Sequence, residues 1–169
     1  LTETAEAWEC ALENANRPTV LALTRQNLPQ LRQDAGAKNL SALGAYELLG
    51  ADGRAEVTIF ASGSEVSLAV KARSALLAEG IIARVVSVPS IERFLAQPES
   101  YRKKVIGRAK LKIGIEAGIR QGWDQIIGAD GTFIGMSSFG ASGPAGKVYQ
   151  HFGITAEAIV SAAKDTLRR

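Results

Sequence analysis

VTIFASGSEVSLAVKARSALLAEG, residues 57–80, is the stretch that decides the fold. It opens with an apolar, β-type run, Val57–Ala61, and turns into a helical pattern that ends at Gly80. Ser64 is predicted to cap this helix, because its hydroxyl can accept a hydrogen bond from a free N–H of the first turn. The apolar stripe of the helix comprises Val66, Ala69, Val70, Leu76 and Leu77. A second apolar run, residues 85–88, follows at once. Strand, helix and strand at this spacing predict a right-handed βαβ unit with parallel strands.

The chain has the composition of a soluble globular domain. Of its 169 residues, 46% are hydrophobic and 22% are charged, and the net charge of +3 comes from basic residues spread along the chain. That pattern argues against a nucleic-acid partner. No apolar run approaches the roughly 20 residues that cross a bilayer, and the acidic N-terminal residues do not resemble a secretion signal. The single cysteine, Cys10, cannot form an internal disulfide. We therefore expect a cytoplasmic protein without a membrane partner.

Residues 1–32 have the pattern of the end of another domain. Residues 4–15 predict an amphipathic helix. Its apolar stripe comprises Ala5, Trp8, Leu12 and Ala15. Residues 19–23 form a nearly all-apolar run, which is typical of a strand covered on both faces. One helix and one strand cannot form a sheet alone, so the main body of their domain should lie elsewhere. Residues 33–44 are interpreted as a linker, since they begin with a stretch of no clear periodicity.

Residues 45–169 predict a complete α/β domain. Strands are predicted at residues 45–49, 57–61, 85–88, 111–115 and 132–136. Helices are predicted after residue 64, at residues 99–107, 122–127 and 145–152, and from the capping residue Thr155 onward. The Asp52-Gly53 turn predicts that the first two strands form an antiparallel hairpin. The fold class is therefore α/β: an open, mostly parallel sheet of about five strands with one antiparallel edge strand and helices on both faces.

Few residues of the chain have the chemistry of a catalytic site. His151 is the only histidine and Cys10 lies in the other segment, so His151 is interpreted as a surface or capping residue. The turn at residues 63–65 could cradle an anion at a helix N-terminus. It lacks the glycine spacing of dinucleotide and P-loop motifs, so an ordinary tight turn is favoured. The loop at residues 140–144 is interpreted in the same way, since Pro144 stands where a nucleophile elbow has glycine.

Three charged regions complete the set of candidates. The basic stretch between residues 102 and 112 offers only Tyr101 for stacking and is interpreted as a solvated helix face. Glu116 and Arg120 follow a predicted strand, where binding residues often lie. An ion pair that supports the loop, or a subunit contact, is an equally good interpretation of these two residues. Arg25 follows the first apolar run of the chain in the same way and is the first candidate for a binding role.

Several short motifs, taken in order, resemble those of transketolases. The segment TRQNLP at residues 24–29 resembles the Ser-Arg-Gln-Asn-Leu segment of that family, with Thr24 in place of the usual serine. ASGSEV at residues 61–66 and ARVVSVPS at residues 83–90 resemble the family's Thr-Gly-Ser-Glu-Val turn and Arg-Val-Val-Ser-Met-Pro strand. Further matches are EAG at residues 116–118, SFG at residues 138–140, and Pro144-Ala145, which Gly143 precedes in place of the common alanine. The resemblance covers essentially all 169 residues.

The resemblance implies a piece of a larger enzyme. Transketolases have three α/β domains, so residues 1–32 would be the tail of the pyrimidine-binding domain and residues 45–169 the C-terminal domain. The family transfers a two-carbon ketol unit from a ketose phosphate to an aldose phosphate with thiamine diphosphate, which a divalent metal (Mg or Ca) anchors to a Gly-Asp-Gly motif. Residues 128–131, GADG, do not match that motif. We therefore expect this polypeptide alone to be inactive and without cofactor, and the full enzyme to be a homodimer.

The resemblance also assigns one substrate contact. The family's arginine in the Arg-Gln-Asn segment contacts the substrate phosphate, and Arg25 occupies that position. A guanidinium fork matches phosphate oxygens with two charge-assisted hydrogen bonds. The alternative is a free-standing anion- or nucleotide-binding α/β module that uses the Gly63 and Gly140 loops. Another thiamine-dependent relative, such as the pyruvate dehydrogenase β-type subunit, is a third interpretation, but the Arg25-Gln26-Asn27 segment favours transketolase.

Overall fold

The computed structural model describes residues 1–32 and 38–168, and it contains one five-stranded sheet. The strands are β1 Tyr46–Leu49, β2 Val57–Ala61, β3 Ala83–Ser87, β4 Leu111–Ile115 and β5 Thr132–Ile134. Their order across the sheet is β1-β3-β2-β4-β5, and every neighbouring pair is parallel except β1 with β3. The predicted open, mostly parallel sheet with one antiparallel edge strand is therefore confirmed, as is the parallel pairing of β2 with β3.

The predicted β1–β2 hairpin is wrong. β1 pairs with β3 instead, with Tyr46 opposite Ser87. β2 has only two edges, and parallel ladders of five residue pairs each to β3 and β4 occupy both of them. The seven residues between β1 and β2 therefore do not close a tight turn, although Gly53 does adopt a positive φ of 106° there.

Helices cover both faces of the sheet, as predicted. The α-helices of the described residues are α1 Thr2–Glu13, α2 Val66–Ala78, α3 Ile91–Leu95, α4 Glu99–Ile106, α5 Asp124–Ile127, α6 Ala145–Phe152 and α7 Ala156–Leu167. Because side chains alternate along a strand, Ile59 of β2 lies in one core with residues of α2 and α7, and Phe60 lies in the other core with residues of α3, α4 and α5. The edge helix α6 contributes Tyr149 and Phe152 to the rim of the first core.

The ends of the helices agree with the sequence in two places and differ in a third. Gly80 follows α2 with φ +80°, and the Thr155 hydroxyl accepts a hydrogen bond of 3.2 Å from the N–H of Ala158 at the start of α7. The predicted cap at Ser64 is wrong, because residues 63–65 form a 3₁₀ turn and no side chain caps α2. The Ser64 hydroxyl is instead 2.7 Å from the carboxylate of Glu65.

The stripe of α2 differs from the prediction at one position. Leu77 is half exposed, and Ala72 is fully buried in its place. Residues 69, 72 and 76 follow the 3.6-residue helical period, whereas Leu77 lies about 100° around the helix from Leu76. The other predicted stripe residues, Val66, Ala69, Val70 and Leu76, lie in the core or at its margin.

Residues 14–32 form no helix or strand, so the predicted strand at residues 19–23 is wrong. A strand needs a neighbour to pair with, and no strand of the described residues lies against this segment. Val20 is accordingly 88% exposed. The predicted stripe of α1 also fails. Trp8 and Leu12 are exposed, and the buried side chains of α1 are Glu6 and Cys10.

The helices of residues 1–32 and 38–168 are all short. None of them has the length and apolar character that crossing a bilayer requires.

Candidate functional site

The site lies where β2 and β4 end side by side. Ala61 and Ile115 are partners at the last rung of this parallel ladder, so the residues that follow them, Ser62 and Glu116, are neighbours. The Ser62 hydroxyl donates a hydrogen bond to the Glu116 carboxylate. Ligands of open α/β sheets gather at this carboxyl edge, because the loops that leave neighbouring strands converge there.

Glu65 ties the loop after β2 to α6. Its side chain is buried, and its Oε1 accepts hydrogen bonds from the hydroxyls of Ser64 and Tyr149. The two hydroxyls are also 2.9 Å from each other. These contacts join residues 84 and 85 positions apart in the chain. We call Ser62, Ser64, Glu65, Glu116 and Tyr149 the carboxyl-edge cluster.

Two members of the carboxyl-edge cluster, Glu116 and Tyr149, hold protons more tightly than the same side chains would in water. Burial, followed by the nearby Glu65 carboxylate, raises the pKa of Glu116 to about 7, although the Ser62 hydroxyl and the Ala117 N–H partly offset this rise. Burial, followed by the hydrogen bond to Glu65, raises the pKa of Tyr149 to about 12. Glu116 therefore retains its proton close to neutral pH, and Tyr149 stays a hydrogen-bond donor.

A cleft of about 540 Å³ opens beside the carboxyl-edge cluster. One wall is the carboxyl edge itself, with Glu65 and Glu116 among its residues. The other wall comes from the N-terminal segment, including Thr24, residues 28–32 and the start of α1. The cleft therefore brings the segment around residue 25 next to the domain built on the sheet.

Arg25 is exposed, and its side chain makes no hydrogen bond or ion pair with any residue that the structure describes. Its two neighbours in the chain are bonded to each other instead. The Thr24 hydroxyl donates a hydrogen bond to the Gln26 amide oxygen. The guanidinium is thus available for an anion.

Polar contacts attach α1 to the part of the chain that carries the sheet, residues 41–168, which we call the sheet domain. The Glu6 carboxylate accepts hydrogen bonds from the Arg32 guanidinium and from Ser41, whose N–H is 3.0 Å and whose hydroxyl is 2.8 Å away. Burial alone would raise the pKa of Glu6, but these hydrogen bonds together hold it below its ordinary value. One turn earlier, the Glu3 carboxylate accepts a 2.7 Å hydrogen bond from the Tyr46 hydroxyl of β1.

An ion pair between Glu116 and Arg120, one of the interpretations of these two residues, is not formed. Arg120 pairs with Asp124 one turn on, at 2.6 Å, and its guanidinium also donates to the backbone carbonyls of Gly128 and Ala129. Residues 121–123 form a turn, with a 3.0 Å hydrogen bond from the Trp123 N–H to the Arg120 carbonyl, that brings Asp124 within reach of Arg120. Glu116 turns towards β2 and becomes part of the carboxyl-edge cluster.

The other sequence candidates take structural positions. His151 is exposed on α6 and packs edge-on against Phe152, with ring centroids 4.8 Å apart. Cys10 is a buried free cysteine. In the basic stretch, Lys103 pairs with Glu99 at 2.6 Å on the exposed face of α4. Among the residues that the structure describes, no group of His, Cys, Asp and Glu side chains is arranged to hold a metal ion.

Glu65 and Tyr149 are members of the carboxyl-edge cluster that the sequence did not reveal. Glu65 stands in the turn after a strand, so its position was a signal, but that turn was interpreted as an ordinary βα connection. Tyr149 carries no local signal, because its role depends on a contact with a residue 84 positions away.

Known proteins share this arrangement of strands and helices. The family model of the transketolase-like TK C-terminal domain matches residues 44–155, which is more than half of the chain. The chain belongs to the transketolase family.

Transketolase relatives match along the whole chain. The transketolase of Sinorhizobium medicae is 55% identical over 170 residues, which is 100% of this chain and 24% of its own length. The transketolase structure from Leishmania mexicana has a TM-score of 0.85 at 42% identity, covering 97% of this chain and 23% of that one. A Pichia stipitis transketolase in complex with sedoheptulose-7-phosphate has a TM-score of 0.87 at 37% identity, covering 99% and 24%. The chain thus spans about a quarter of the length of the curated transketolases it matches.

Proposed function

We propose that this chain is the C-terminal part of an enzyme that transfers a two-carbon ketol unit from a ketose phosphate to an aldose phosphate, and that Arg25 binds the substrate phosphate. The observation that carries this proposal is the state of Arg25, which is exposed, has no partner among the described residues and stands between two residues that hydrogen-bond to each other. A relative that matches 99% of this chain was solved with the sugar phosphate sedoheptulose-7-phosphate. A free-standing nucleotide-binding module is not favoured, since transketolases match the whole chain.

The role of Arg25 follows from its chemistry. A guanidinium is always charged, and its planar fork can donate two parallel hydrogen bonds to a phosphate. Each hydrogen bond to a charged group contributes about 1.5–3 kcal/mol. Arg25 would therefore select phosphorylated sugars and orient their phosphorylated end, while the bond-making steps take place at the other end of the substrate.

The described residues do not fit the cofactor of the family. Thiamine diphosphate, with its divalent metal, supplies the carbanion chemistry of a transketolase when bound. The nearest sequence to a Gly-Asp-Gly motif, at residues 128–131, is a tight turn closed by a 3.1 Å hydrogen bond from the Gly131 N–H to the Gly128 carbonyl. Asp130 in that turn is exposed, and no cluster of metal ligands surrounds it. We propose that the rest of the full enzyme holds the cofactor and that this chain alone is inactive.

The same proposal covers domains and assembly. Residues 1–32 would be the tail of the pyrimidine-binding domain, residues 33–44 the linker and residues 45–169 the C-terminal domain. The exposed apolar side chains of the first segment, such as Val20 and Trp8, support this division, because they suit burial against further protein.

In a homodimer, apolar side chains such as Phe139, which is 97% exposed, would contribute to subunit contacts. A single free cysteine suits the reducing cytoplasm.

Steady-state kinetics of the full-length enzyme test the role of Arg25. We expect Arg25→Ala to raise KM for an aldose phosphate by about 10-fold or more, since 1.4 kcal/mol is tenfold and at least one charge-assisted hydrogen bond is lost. KM for the same aldose without its phosphate should stay unchanged. Arg17→Ala is the matched control, because Arg17 is an exposed arginine of the same segment. Equal losses with both acceptors, or an unchanged KM for the phosphorylated one, would contradict the proposal.

A further inference from the structure

A second cavity, of about 240 Å³, lies at the amino edge of the sheet, at the other end of the strands from the carboxyl-edge cluster. Arg54 and Arg108 are among the residues that line it. Each stands three residues before the start of a strand, and the residues that begin these strands, Val57 and Leu111, are partners in the parallel ladder of β2 and β4. The loops that enter the two strands therefore lie side by side, and both arginines line one cavity.

Arg84, also in the cavity wall, neutralises the negative groups beside it. Its guanidinium pairs with the Glu47 carboxylate at 2.6 Å and donates a hydrogen bond to the Val105 carbonyl at the end of α4. It also donates a 3.2 Å hydrogen bond to the Thr58 hydroxyl. Within residues 1–32 and 38–168, Glu47 supplies the only carboxylate that lines the cavity. The charges of Arg84 and Glu47 thus compensate each other.

The charges of Arg54 and Arg108 have no such compensation. Both residues are exposed, and neither guanidinium makes a hydrogen bond or an ion pair within the described part of the chain. Asp52 and Glu56 flank Arg54 in sequence, but neither lines the cavity, and the Glu56 carboxylate accepts a 3.2 Å hydrogen bond from the Ile82 N–H. Two positive charges around one small cavity repel each other, and an anion between them removes that repulsion.

The cavity also offers a backbone donor and a suitable size. Ala109 lines it next to Arg108 and is buried, and its N–H makes no hydrogen bond with any residue of the described ranges. A backbone N–H without a partner in the protein is a donor that a phosphate oxygen can use. The volume is below the roughly 300–1,000 Å³ of pockets for drug-sized ligands, which suits a small anion.

We propose that this cavity is an anion site that binds a phosphate group between Arg54 and Arg108, with the Ala109 N–H as a further donor. The site does not depend on the proposed role of Arg25. The five residues of β2 put about 15 Å between the two edges of the sheet. A phosphate bound at the amino edge is therefore remote from the cleft, and its effect is to stabilise the sheet domain.

NMR titration of this chain with inorganic phosphate at constant ionic strength tests the site. We expect the amide resonances of residues 53–55 and 108–110 to shift along a saturable curve with a Kd of about 1 mM, as two charge-assisted hydrogen bonds would give. Chloride at the same ionic strength should leave them in place. An absence of saturable shifts would overturn the proposal. Shifts of residues 24–27 report on Arg25 separately, so the two proposals fail independently.

Substitution of each arginine tests which side chains hold the phosphate. We expect Arg54→Gln and Arg108→Gln each to raise Kd by about 10-fold or more, because a charge-assisted contact is lost. Lys110→Gln is the matched control, since it removes the same charge from an exposed residue that does not line the cavity. Its Kd should stay within about twofold of the wild type. Equal losses in all three variants would show only long-range attraction and would overturn the assignment.

Thermal unfolding provides an independent measurement. Phosphate at about ten times Kd should raise the melting temperature of the wild type by about 3 °C relative to chloride, and should leave that of the Arg54→Gln, Arg108→Gln double variant unchanged. Equal rises in both proteins would reflect the general effect of phosphate as a stabilising salt and would contradict a specific site.

A second ligand distinguishes the two sources of the phosphate group. A sugar phosphate should shift the same amides as inorganic phosphate, and the same sugar without its phosphate should not. A Kd equal to that of inorganic phosphate would assign the site to the phosphate group alone, and a Kd at least 10-fold lower would assign it to sugar phosphates. Equal shifts with the unphosphorylated sugar would overturn the proposal.

Discussion

At the scale of single residues, Glu116 is a carboxyl group whose protonation the fold changes strongly. Its ordinary pKa is 4.5, and burial next to Glu65 raises it to about 7. Between these two values the folded chain binds more protons than the unfolded chain. The stability that this group contributes is therefore fully present below about pH 4.5 and is lost as the pH rises through about 7.

Removing the charge of Glu116 should stabilise the protein at alkaline pH. We expect Glu116→Gln to raise the free energy of unfolding near pH 8 by about 1–2 kcal/mol, because one pKa unit is worth about 1.4 kcal/mol and solvent screening reduces the full effect. The difference should fade towards pH 5. Urea unfolding of both proteins at a series of pH values measures it.

The exposed Glu99 provides the control for this pH dependence. It pairs with Lys103 on the surface of α4, and that ion pair lowers its pKa below the range in question. Glu99→Gln should therefore leave the slope of stability between pH 5 and 8 as it is. A Glu116→Gln protein with the wild-type slope would mean that the carboxyl-edge cluster does not retain a proton.

The sequence located Glu116 but not its partners. Its place after an apolar run identified a strand end, which is a local signal. The choice of Ser62 and Glu65 over Arg120 depends on which strand lies beside β4, and nothing within a few residues of Glu116 encodes that neighbour. Arg25 was found by its motif, whereas Tyr149 was missed because its contacts are all distant in sequence.

At the scale of elements, α1 depends on a few polar contacts rather than on an apolar face. Glu6 is its central anchor, with Arg32 and Ser41 as hydrogen-bond donors. The Arg32 guanidinium also lies over the Tyr46 ring, 5.2 Å from its centroid. Removing one partner of such a buried pair is costly, because the other charge is left without compensation.

We expect Glu6→Gln to release α1 and the residues around Arg32 from the sheet domain. Trypsin cleavage after Arg32 should become about 10-fold faster or more, since the loss of a buried charge pair exceeds 1.4 kcal/mol. Unfolding of the sheet domain itself should change little. Limited proteolysis followed by mass spectrometry measures the cleavage at this site.

Glu9→Gln is the control on the same helix. Glu9 is exposed and accepts a 2.8 Å hydrogen bond from Asn39, and exposed contacts of this kind contribute little. Its cleavage rate after Arg32 should stay within about twofold of the wild type. Wild-type cleavage in the Glu6 variant would show that other contacts hold α1.

Strands and helices of the sheet domain were predictable where their signals are local. Apolar runs bounded by Gly and Pro gave β2, β3 and β4 within one or two residues, and Thr155 marked the start of α7. The pairing of the strands was less predictable. Both edges of β2 are occupied by β3 and β4, so β1 pairs with the remaining edge of β3. The apolar run at residues 19–23 has the composition of a strand, but composition does not provide a partner to pair with.

At the scale of the whole molecule, two apolar cores lie on opposite faces of the sheet, one against α2 and α7 and the other against α3, α4 and α5. Side chains of β2 contribute to both cores, and β1 and β5 are the edge strands of the sheet. The N-terminal segment adds α1 and the Arg25 turn to one end, and Glu6 and Glu3 hold α1 there. In the proposed full enzyme, this arrangement presents the phosphate contact from a neighbouring domain, beside the C-terminal domain.

Amide hydrogen exchange of the chain tests most directly whether residues 45–168 form a domain of their own and residues 1–32 belong to another. We expect amides of β2, β3 and β4 to exchange only through global unfolding. Amides of residues 18–31 should exchange orders of magnitude faster, because no β-ladder protects them. Equal protection of the two regions would show a single cooperative unit and would contradict this division of the chain.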